Sequence, residues 1–368
     1  MTTFFIDVFD TDGTQIARIN DFISLQYNFV ELQVGSMTLE LDDTQLDKSL
    51  LGVDKIFQIY REIPGQPPYL EGERLWYLRR WNLHSRTNSS HLIYTLEAQD
   101  ANHLLTRRII NGHEGGAIAS KVQAGDNMIK AYVREAAGSL TTAARDMRPY
   151  LDVAANVGAA GVLRFTGEHT NLYDTCKWVC EKGQEKGIYL VFDCVYSAPG
   201  NSIFTTYVGA RGADHGSTSG DIRLFGIELG NLSDAALSYD FMETANYCFS
   251  MGSGRQDARE IVEVANLPSI ARSILNRHEF VNNCSGIFRT TAEIQAMGYK
   301  ALGAAKDKVR FTGYLVDTPA MRYGVDYGFG DIVTVQFAGV TVDCHVVSIG
   351  NTVSEGGETP TIYVEGQL

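Results

Sequence analysis

The chain has 368 residues, more than one hydrophobic core normally organises, so two or three packed units are expected. Its 31 basic and 44 acidic residues give a formal net charge of −13, which argues against a protein that wraps nucleic acid but not against a surface that DNA slides past. No secretory leader or transmembrane run is visible, and the six scattered cysteines indicate a reduced, cytosol-made chain.

Residues 1–108 are predicted to form an N-terminal β-barrel domain. The turn Asp10-Thr11-Asp12-Gly13 is typical of a β-hairpin, because Asp-Gly readily adopts the dihedral angles of a tight turn. Met37, Leu39 and Leu41 alternate with polar residues, which is the pattern of a half-buried strand. Such short strands, joined by turns, favour a small antiparallel barrel or sandwich, and they are predicted at 5–9, 15–19, 22–30, 36–41, 56–61, 75–81 and 92–97.

Residues 109–235 are predicted to form an α+β middle domain. Asp126 precedes an apolar stripe that includes Met128 and Tyr132 and ends near Gly138, and this spacing predicts a helix. A second helix is predicted over 170–187, followed by strands at 188–196 and 203–208. The glycine-rich stretch 209–220 is predicted to be a mobile loop.

Residues 236–368 are predicted to form a C-terminal β-barrel domain with one helix. Thr290 and Glu293 have the spacing of a capping box, which marks the start of that helix. Strands are predicted at 238–250, 259–264, 308–316, 332–337, 340–349 and 361–365. The predicted fold class is therefore α+β, mainly β, with two antiparallel β-barrel-like domains flanking an α+β insert.

Two short motifs, one near each end of the chain, are similar to those of a known family. The first runs through Phe22-Ile23-Ser24-Leu25-Gln26-Tyr27 and Val34-Gly35-Ser36-Met37-Thr38-Leu39-Glu40-Leu41. The second runs from Tyr323 to Val335 and includes Gly330-Asp331-Ile332-Val333. Together with the order of the elements, they resemble the opening and closing barrels of siphophage-type tail tip, or baseplate hub, proteins. This fold is shared with contractile-tail baseplate hubs and with hub segments of type VI secretion spikes.

The resemblance implies a structural virion protein that forms a homotrimeric ring at the distal end of a tail tube. Two barrels in each of three subunits would give a pseudo-sixfold ring through which DNA passes transiently, without stable nucleic-acid binding. The implied partners are a tail tube or distal tail protein above and a tip, fibre or spike protein below, with host-envelope contact through those partners. The implied location is the virion tail tip, after synthesis in the host cytoplasm. Because the sequence ends just after a predicted strand, no puncturing or lytic appendage is expected.

Three groups of residues contain atoms that enzymes use. Asp326 and Asp331 could act as paired acids, but the surrounding glycines favour a turn that leads into a strand. His113-Glu114 lacks the second histidine of a metalloprotease helix, which favours a surface loop. Asp214-His215, close to Ser217 and Ser219, lies in a glycine-rich stretch without a nucleophile elbow, so a loop is again favoured over a hydrolase site.

Three further groups would suit binding. Cys176 and Cys180 lie one helical turn apart, but no second ligand pair follows, so buried thiols are favoured over a metal site. The pairs Arg79-Arg80 and Arg107-Arg108 favour salt bridges at a subunit interface over phosphate binding. The aromatic residues Trp76, Tyr77 and Trp81 would stack on sugars if they were exposed, but alternation along the strand favours ordinary strand packing.

The sequence therefore predicts a protein that is not an enzyme and has no catalytic, cofactor-binding or metal-binding residues. Two alternatives remain open: a tail-associated cell-wall hydrolase that uses two carboxylates, and a carbohydrate-binding receptor module.

Overall fold

The computed structural model describes residues 2–44, 48–85, 92–110, 119–148, 150–167, 169–184, 187–242, 244–254, 259–284, 290–305 and 308–367. The strands are β1 Thr3–Phe9, β2 Gln15–Ile19, β3 Ser24–Val30, β4 Ser36–Asp42, β5 Ile56–Glu62, β6 Tyr69–Leu70, β7 Trp76–Ser85, β8 Leu92–Asp100, β9 Ala119–Ala124, β10 Leu151–Val153, β11 Val162–Gly167, β12 Leu190–Ala198, β13 Asn201–Val208, β14 Asp214–His215, β15 Leu224–Gly226, β16 Leu232–Asp240, β17 Tyr247–Met251, β18 Ile261–Ala265, β19 Glu279–Asn283, β20 Lys308–Leu315, β21 Ile332–Phe337, β22 Val340–Ser354 and β23 Gly357–Gln367. The helices are α1 His103–Thr106, α2 Gly125–Ala136, α3 Leu172–Gln184, α4 Leu267–Ile270 and α5 Thr291–Ala304. The predicted class, α+β and mainly β, is confirmed.

The N-terminal strands follow the predicted alternation closely. In β3, the side chains of Leu25, Tyr27 and Phe29 are buried, and the polar residues between them face outward. The first two strands form the predicted hairpin, in which Gly13 has a φ of 84°. Glycine has no Cβ and adopts this left-handed conformation without strain, so the Asp-Gly motif sets the turn.

The two β-rich ends of the chain meet in one antiparallel sheet. Strand β3 pairs with β22, and Gln26 faces Thr352 while Asn28 faces Gly350. The hydrogen-bonded order is β16-β20-β23-β22-β3-β4-β8-β7-β5-β1-β2, and within the described residues it runs from β16 to β2 without closing. We call this the joined sheet. The two predicted barrel-like domains are thus continuous with each other through β3 and β22, and no closed barrel is found among the described strands.

One hydrophobic core lies behind the joined sheet and draws side chains from both ends of the chain. Leu25 and Trp76 from the N-terminal part pack in the same cluster as Phe311, Val346 and Ile362 from the C-terminal part. The α+β middle packs in a second core, in which α2, α3 and the hairpin β12–β13 meet Phe9, Ile56 and Tyr77 from the N-terminal strands. The predicted boundaries at residues 108 and 235 stay predictions.

The middle region contains both of the predicted helices. It also contains strands that the sequence pattern did not suggest. Helix α3 lies inside its predicted span, α2 begins slightly earlier than predicted, at Gly125, and β12 and β13 match the predicted pair. The antiparallel pair β9–β11 was not predicted, because Val122 and Val162 on its outer face are exposed and give no simple alternation. Part of the predicted mobile loop forms β14, which pairs in parallel with β21.

The C-terminal region holds one correction and one close agreement. The predicted strand at 238–250 is wrong, since β16 ends at Asp240 and β17 begins at Tyr247 in a separate sheet ordered β18-β17-β19. The capping box is present: the Thr290 hydroxyl accepts from the Glu293 amide, and the Glu293 carboxylate accepts from the Thr290 amide at 2.8 Å. None of the described helices is long and apolar enough to cross a membrane.

Candidate functional site

A buried ionic cluster lies where the N-terminal strands, the α+β middle and the C-terminal strands meet. A tight turn with Gly72 at φ 61° and Glu73 at φ 54° directs Arg74 inward, where its side chain is 1% exposed. Its guanidinium donates to Asp100 at the end of β8 and, at 2.8 Å, to Asp193 in β12. The cluster therefore joins parts of the chain that are far apart in sequence.

Two further side chains complete this ionic cluster. Arg211 donates to Asp193 at 2.9 Å, and its guanidinium lies 4.8 Å from the centre of the Phe329 ring. Asn102 donates to Asp193 at 3.1 Å through its side-chain amide. Asp193 is thus contacted by two cations and an amide, whereas Asp100 has one cation.

The two buried carboxylates respond in opposite directions. Burial raises the pKa of Asp100 to about 6, although Arg74 and two backbone amides favour its charged form. Burial also acts on Asp193, but Arg74, Arg211 and the hydrogen bond from Asn102 outweigh it, and the pKa of Asp193 is lowered. Asp193 is therefore the firmly charged member of the cluster, and Asp100 is the member that protonates most easily.

A cleft of about 560 Å³ separates the α+β middle from the joined sheet. The Tyr189 hydroxyl donates to Glu31, and its ring stacks on His345 with 3.9 Å between ring centroids. Within the described residues, Glu31 Oε1 and His345 Nδ1 are buried without a hydrogen-bond partner. Burial raises the pKa of Glu31 to about 7 and lowers that of His345, so both side chains tend toward neutrality.

The candidate acids near the C terminus hold the turn that precedes β21. Asp331 accepts from the amides of Ala213 and Gly328, each at 2.6 Å, and is 7% exposed. Asp326 accepts from the Arg322 amide at 2.8 Å. Gly330 has a φ of 81°, and an added Cβ would lie 2.6 Å from the Arg211 side chain. Both carboxylates therefore accept hydrogen bonds from backbone amides and stabilise the turns in which they lie.

The Asp214-His215 group is not arranged as a nucleophile with its base. Ser217 Oγ donates to Asp343 at 2.8 Å, and Ser219 Oγ donates to the carbonyl of Asp214 at 2.7 Å. His215 Nδ1 lies 3.0 Å from the carbonyl oxygen of Asp221, so its neighbours are not the serine hydroxyls. The other motif, His113-Glu114, lies outside the described residues.

Both cysteines of the candidate metal pair lie inside the core of the α+β middle. Cys176 and Cys180 are buried, and burial raises the pKa of each thiol, which disfavours the thiolate that metals bind. No cluster of three metal-ligating side chains occurs in the ranges that the structure describes.

The two arginine pairs are largely engaged within the subunit. Arg79 and Arg107 both contact Asp54, at 2.6 and 2.7 Å, and Arg80 pairs with Glu97 at 2.9 Å. Arg108 donates to the carbonyls of Arg145 and Arg107. These contacts differ from the predicted salt bridges between subunits.

Two of the three aromatic residues considered for sugar stacking are inaccessible. Trp76 and Tyr77 are 0% and 3% exposed, whereas Trp81 is 38% exposed. Strand β7 is buried on both faces at its start, because the core of the joined sheet covers Trp76 and the core of the middle region covers Tyr77. Trp76 and Tyr77 are therefore unable to supply the aromatic platform that the receptor alternative would need.

The fold is that of phage tail proteins. The 43 kDa tail protein of prophage MuSo2 from Shewanella oneidensis superposes with a TM-score of 0.54 at 13% identity, over 98% of this chain and 97% of that chain. Prophage tail protein gp18 from Listeria monocytogenes EGD-e gives 0.52 at 11% identity, over 98% and 94%. The lidded PdpA–VgrG complex of Francisella gives 0.51 at 8% identity, over 100% of this chain and 53% of that chain.

The chain belongs to the Siphovirus ReqiPepy6 Gp37-like protein family, whose model matches residues 5–364. No curated protein matches the sequence. The resemblance to phage tail and baseplate proteins that the sequence motifs carried is therefore confirmed.

Proposed function

We propose that this protein is the structural hub of a phage tail tip, that it forms a homotrimeric ring at the distal end of the tail tube, and that it is not an enzyme. The observation that supports this proposal most is the joined sheet. It sets two β-rich regions side by side within one chain, so that three copies would supply six such regions around an axis, as a ring that continues a six-fold tube requires.

The sheet edges supply a means of assembly. Among the described strands, β2 pairs only with β1, and β16 pairs only with β20, so each leaves one side without a strand partner. An unpaired edge is a ready site for strand addition by a neighbouring chain. The expected neighbours are further copies of the hub, a tail tube or distal tail protein above, and a tip, fibre or spike protein below. The proposed location is the virion, with DNA in the lumen only during passage and host-envelope contact made through the partners.

The proposal is tested on the purified protein and on assembled tails. Light scattering should give a monomer or a trimer, and images of tails should place a ring of three copies at the distal end of the tube. A zymogram on purified cell walls should show no clearing. Clear lysis, or tails that contain the chain elsewhere, would contradict the proposal.

The hydrolase and receptor alternatives have less support. Asp326 accepts from the Arg322 amide in its own turn, and Asp331 accepts from the amides of Gly328 and Ala213. The buried Trp76 and Tyr77 offer no surface to a sugar. The zymogram therefore tests the hydrolase alternative, and glycan binding by a Trp81→Ala variant tests the receptor alternative.

A further inference from the structure

Part of the outward face of the joined sheet, on the six neighbouring strands from β23 to β7, is composed mainly of uncharged polar side chains. Paired residues form three ranks across the strands from β23 to β7. The first rank is Thr359, Thr352, Gln26, Thr38, Glu97 and Arg80; the second is Thr361, Gly350, Asn28, Ser36 and Gln99; the third is Ser354, Ser24, Glu40, Thr95 and Asn82. We call this surface the polar face. Six strands at a spacing of about 4.8 Å make it roughly 24 Å wide.

The charge of the polar face is close to neutral, unlike that of the whole chain. Its one cation, Arg80, is paired with Glu97 at 2.9 Å. Glu40 accepts from the Ser24 hydroxyl at 3.0 Å, and Asn28 accepts from the Ser36 hydroxyl at 2.6 Å. The face has one positive against two negative side chains and no lysine, so most of the net charge of −13 lies elsewhere.

This composition suits a surface past which a polyanion moves without being held. DNA binding at physiological salt depends on lysine and arginine side chains that displace counterions from phosphates. The polar face offers no unpaired cation for this purpose. Its hydroxyl and amide groups keep a layer of exchangeable water, and its apolar residues point into the core on the other side of the sheet.

We infer that the polar face lines the channel of the proposed ring and forms the wall along which double-stranded DNA slides. The inference rests on the proposed hub function and adds to it the surface that meets the DNA. It also specifies the chemistry of that wall: uncharged hydroxyl and amide groups would prevent the genome from sticking.

Cysteine labelling tests the position of this face. All six native cysteines are buried, so cysteines introduced by Gln26→Cys and Thr352→Cys, both at exposed positions, are the sites that react with maleimides. A small maleimide and one coupled to a polymer too large for the channel are applied to the isolated chain and to assembled tails. Thr142→Cys, at an exposed threonine in the α+β middle, is the matched control.

The expected result is modification by both reagents in the isolated chain and loss of modification by the large reagent in assembled tails. Modification by both reagents in tails would place the face on the outside, and modification by neither would place it in a contact between proteins; either result overturns the inference. Images of the same tails report separately whether a ring is present, so failure of the hub proposal is distinguished from failure of this inference.

A second arm tests the chemistry of the wall. The triple variant Gln26→Lys, Thr38→Lys and Thr352→Lys adds three neighbouring cations to one rank, and Gln26→Ser, Thr38→Ser and Thr352→Ser is its neutral control. Tails with the lysine variant should eject DNA more slowly at low salt than tails with the serine variant, and added salt should reduce the difference. Equal ejection rates at low salt would overturn the inference.

Discussion

Removal of Arg74 is expected to destabilise the protein far more than removal of an exposed arginine. Arg74→Met deletes the contacts to Asp100 and Asp193 but leaves both carboxylates buried. Asp193 keeps Arg211 at 2.9 Å, whereas Asp100 keeps only backbone amides. Breaking one side of a buried ion pair lowers the free energy of unfolding by about 3–5 kcal/mol, because an uncompensated charge remains in the core.

The matched control is Arg80→Met. Arg80 and Glu97 form an ion pair whose side chains are 65% and 37% exposed, and such surface pairs contribute about 1 kcal/mol or less. Urea unfolding followed by circular dichroism gives the free energy of unfolding for each variant. Equal losses for Arg74→Met and Arg80→Met would refute the argument that the buried cluster stabilises the junction.

The same variant should depend on pH in a defined direction. The pKa of Asp100 in the folded protein is about 6, above its ordinary value of 3.8, so the stability linked to its protonated form is complete below 3.8 and is lost as the pH rises through 6. Without Arg74 the ionised form becomes still less favourable. The loss caused by Arg74→Met should therefore be larger above pH 6 than below it, and a second change, Asp100→Asn, should recover part of it.

Three further predictions concern other parts of the chain. The pKa of Glu31 is about 7, above its ordinary value of 4.5, so the stability linked to its protonated form is lost as the pH rises through 7. Glu31→Gln should remove up to about 3 kcal/mol of this decrease in the free energy of unfolding, measured by unfolding at a series of pH values. Identical pH profiles for the variant and the unchanged protein would contradict this. Thr290→Ala should lower the free energy of unfolding by about 1 kcal/mol through loss of the capping box. Thr291→Ala should reduce the helix content less, and an equal loss of helix content in both variants would argue against this prediction. Gly330→Ala should lower the unfolding midpoint more than Gly303→Ala, because its φ is 81° and its Cβ would lie 2.6 Å from Arg211; the opposite order would show that the turn adapts.

Local pattern predicted the elements, because each depends on neighbours in sequence. The hairpin at Gly13, the alternation in β4 and the cap at Thr290 follow from short-range geometry. Strand β21 has the bounds that its pattern predicts, since its apolar residues alternate against one core. The strand predicted across residues 241–246 is wrong, because apolar residues such as Phe241 and Met242 are exposed between two sheets.

The candidate sites depended on distant contacts and were less accessible to prediction. Arg74 follows two glutamates in a turn, a pattern typical of the surface, and its burial becomes evident only once Asp193 lies beside it. Glu31 likewise owes its raised pKa to burial at the cleft, which outweighs the opposing effect of the hydrogen bond from Tyr189. The ranks of the polar face combine strands from both ends of the chain, so their alignment requires the β3–β22 register.

The pairing of β3 with β22 also sets the order in which the protein can fold. Residues 24–30 are synthesised long before their partners at 348–354. The core of the α+β middle uses residues from the N-terminal strands and from the middle region itself, so it is able to form while synthesis continues, whereas the edge of β3 waits for its neighbour. Non-local strand pairing of this kind is slow and leaves an edge open to other chains. During synthesis, β3 is therefore a strand that needs protection from aggregation until β22 has been made.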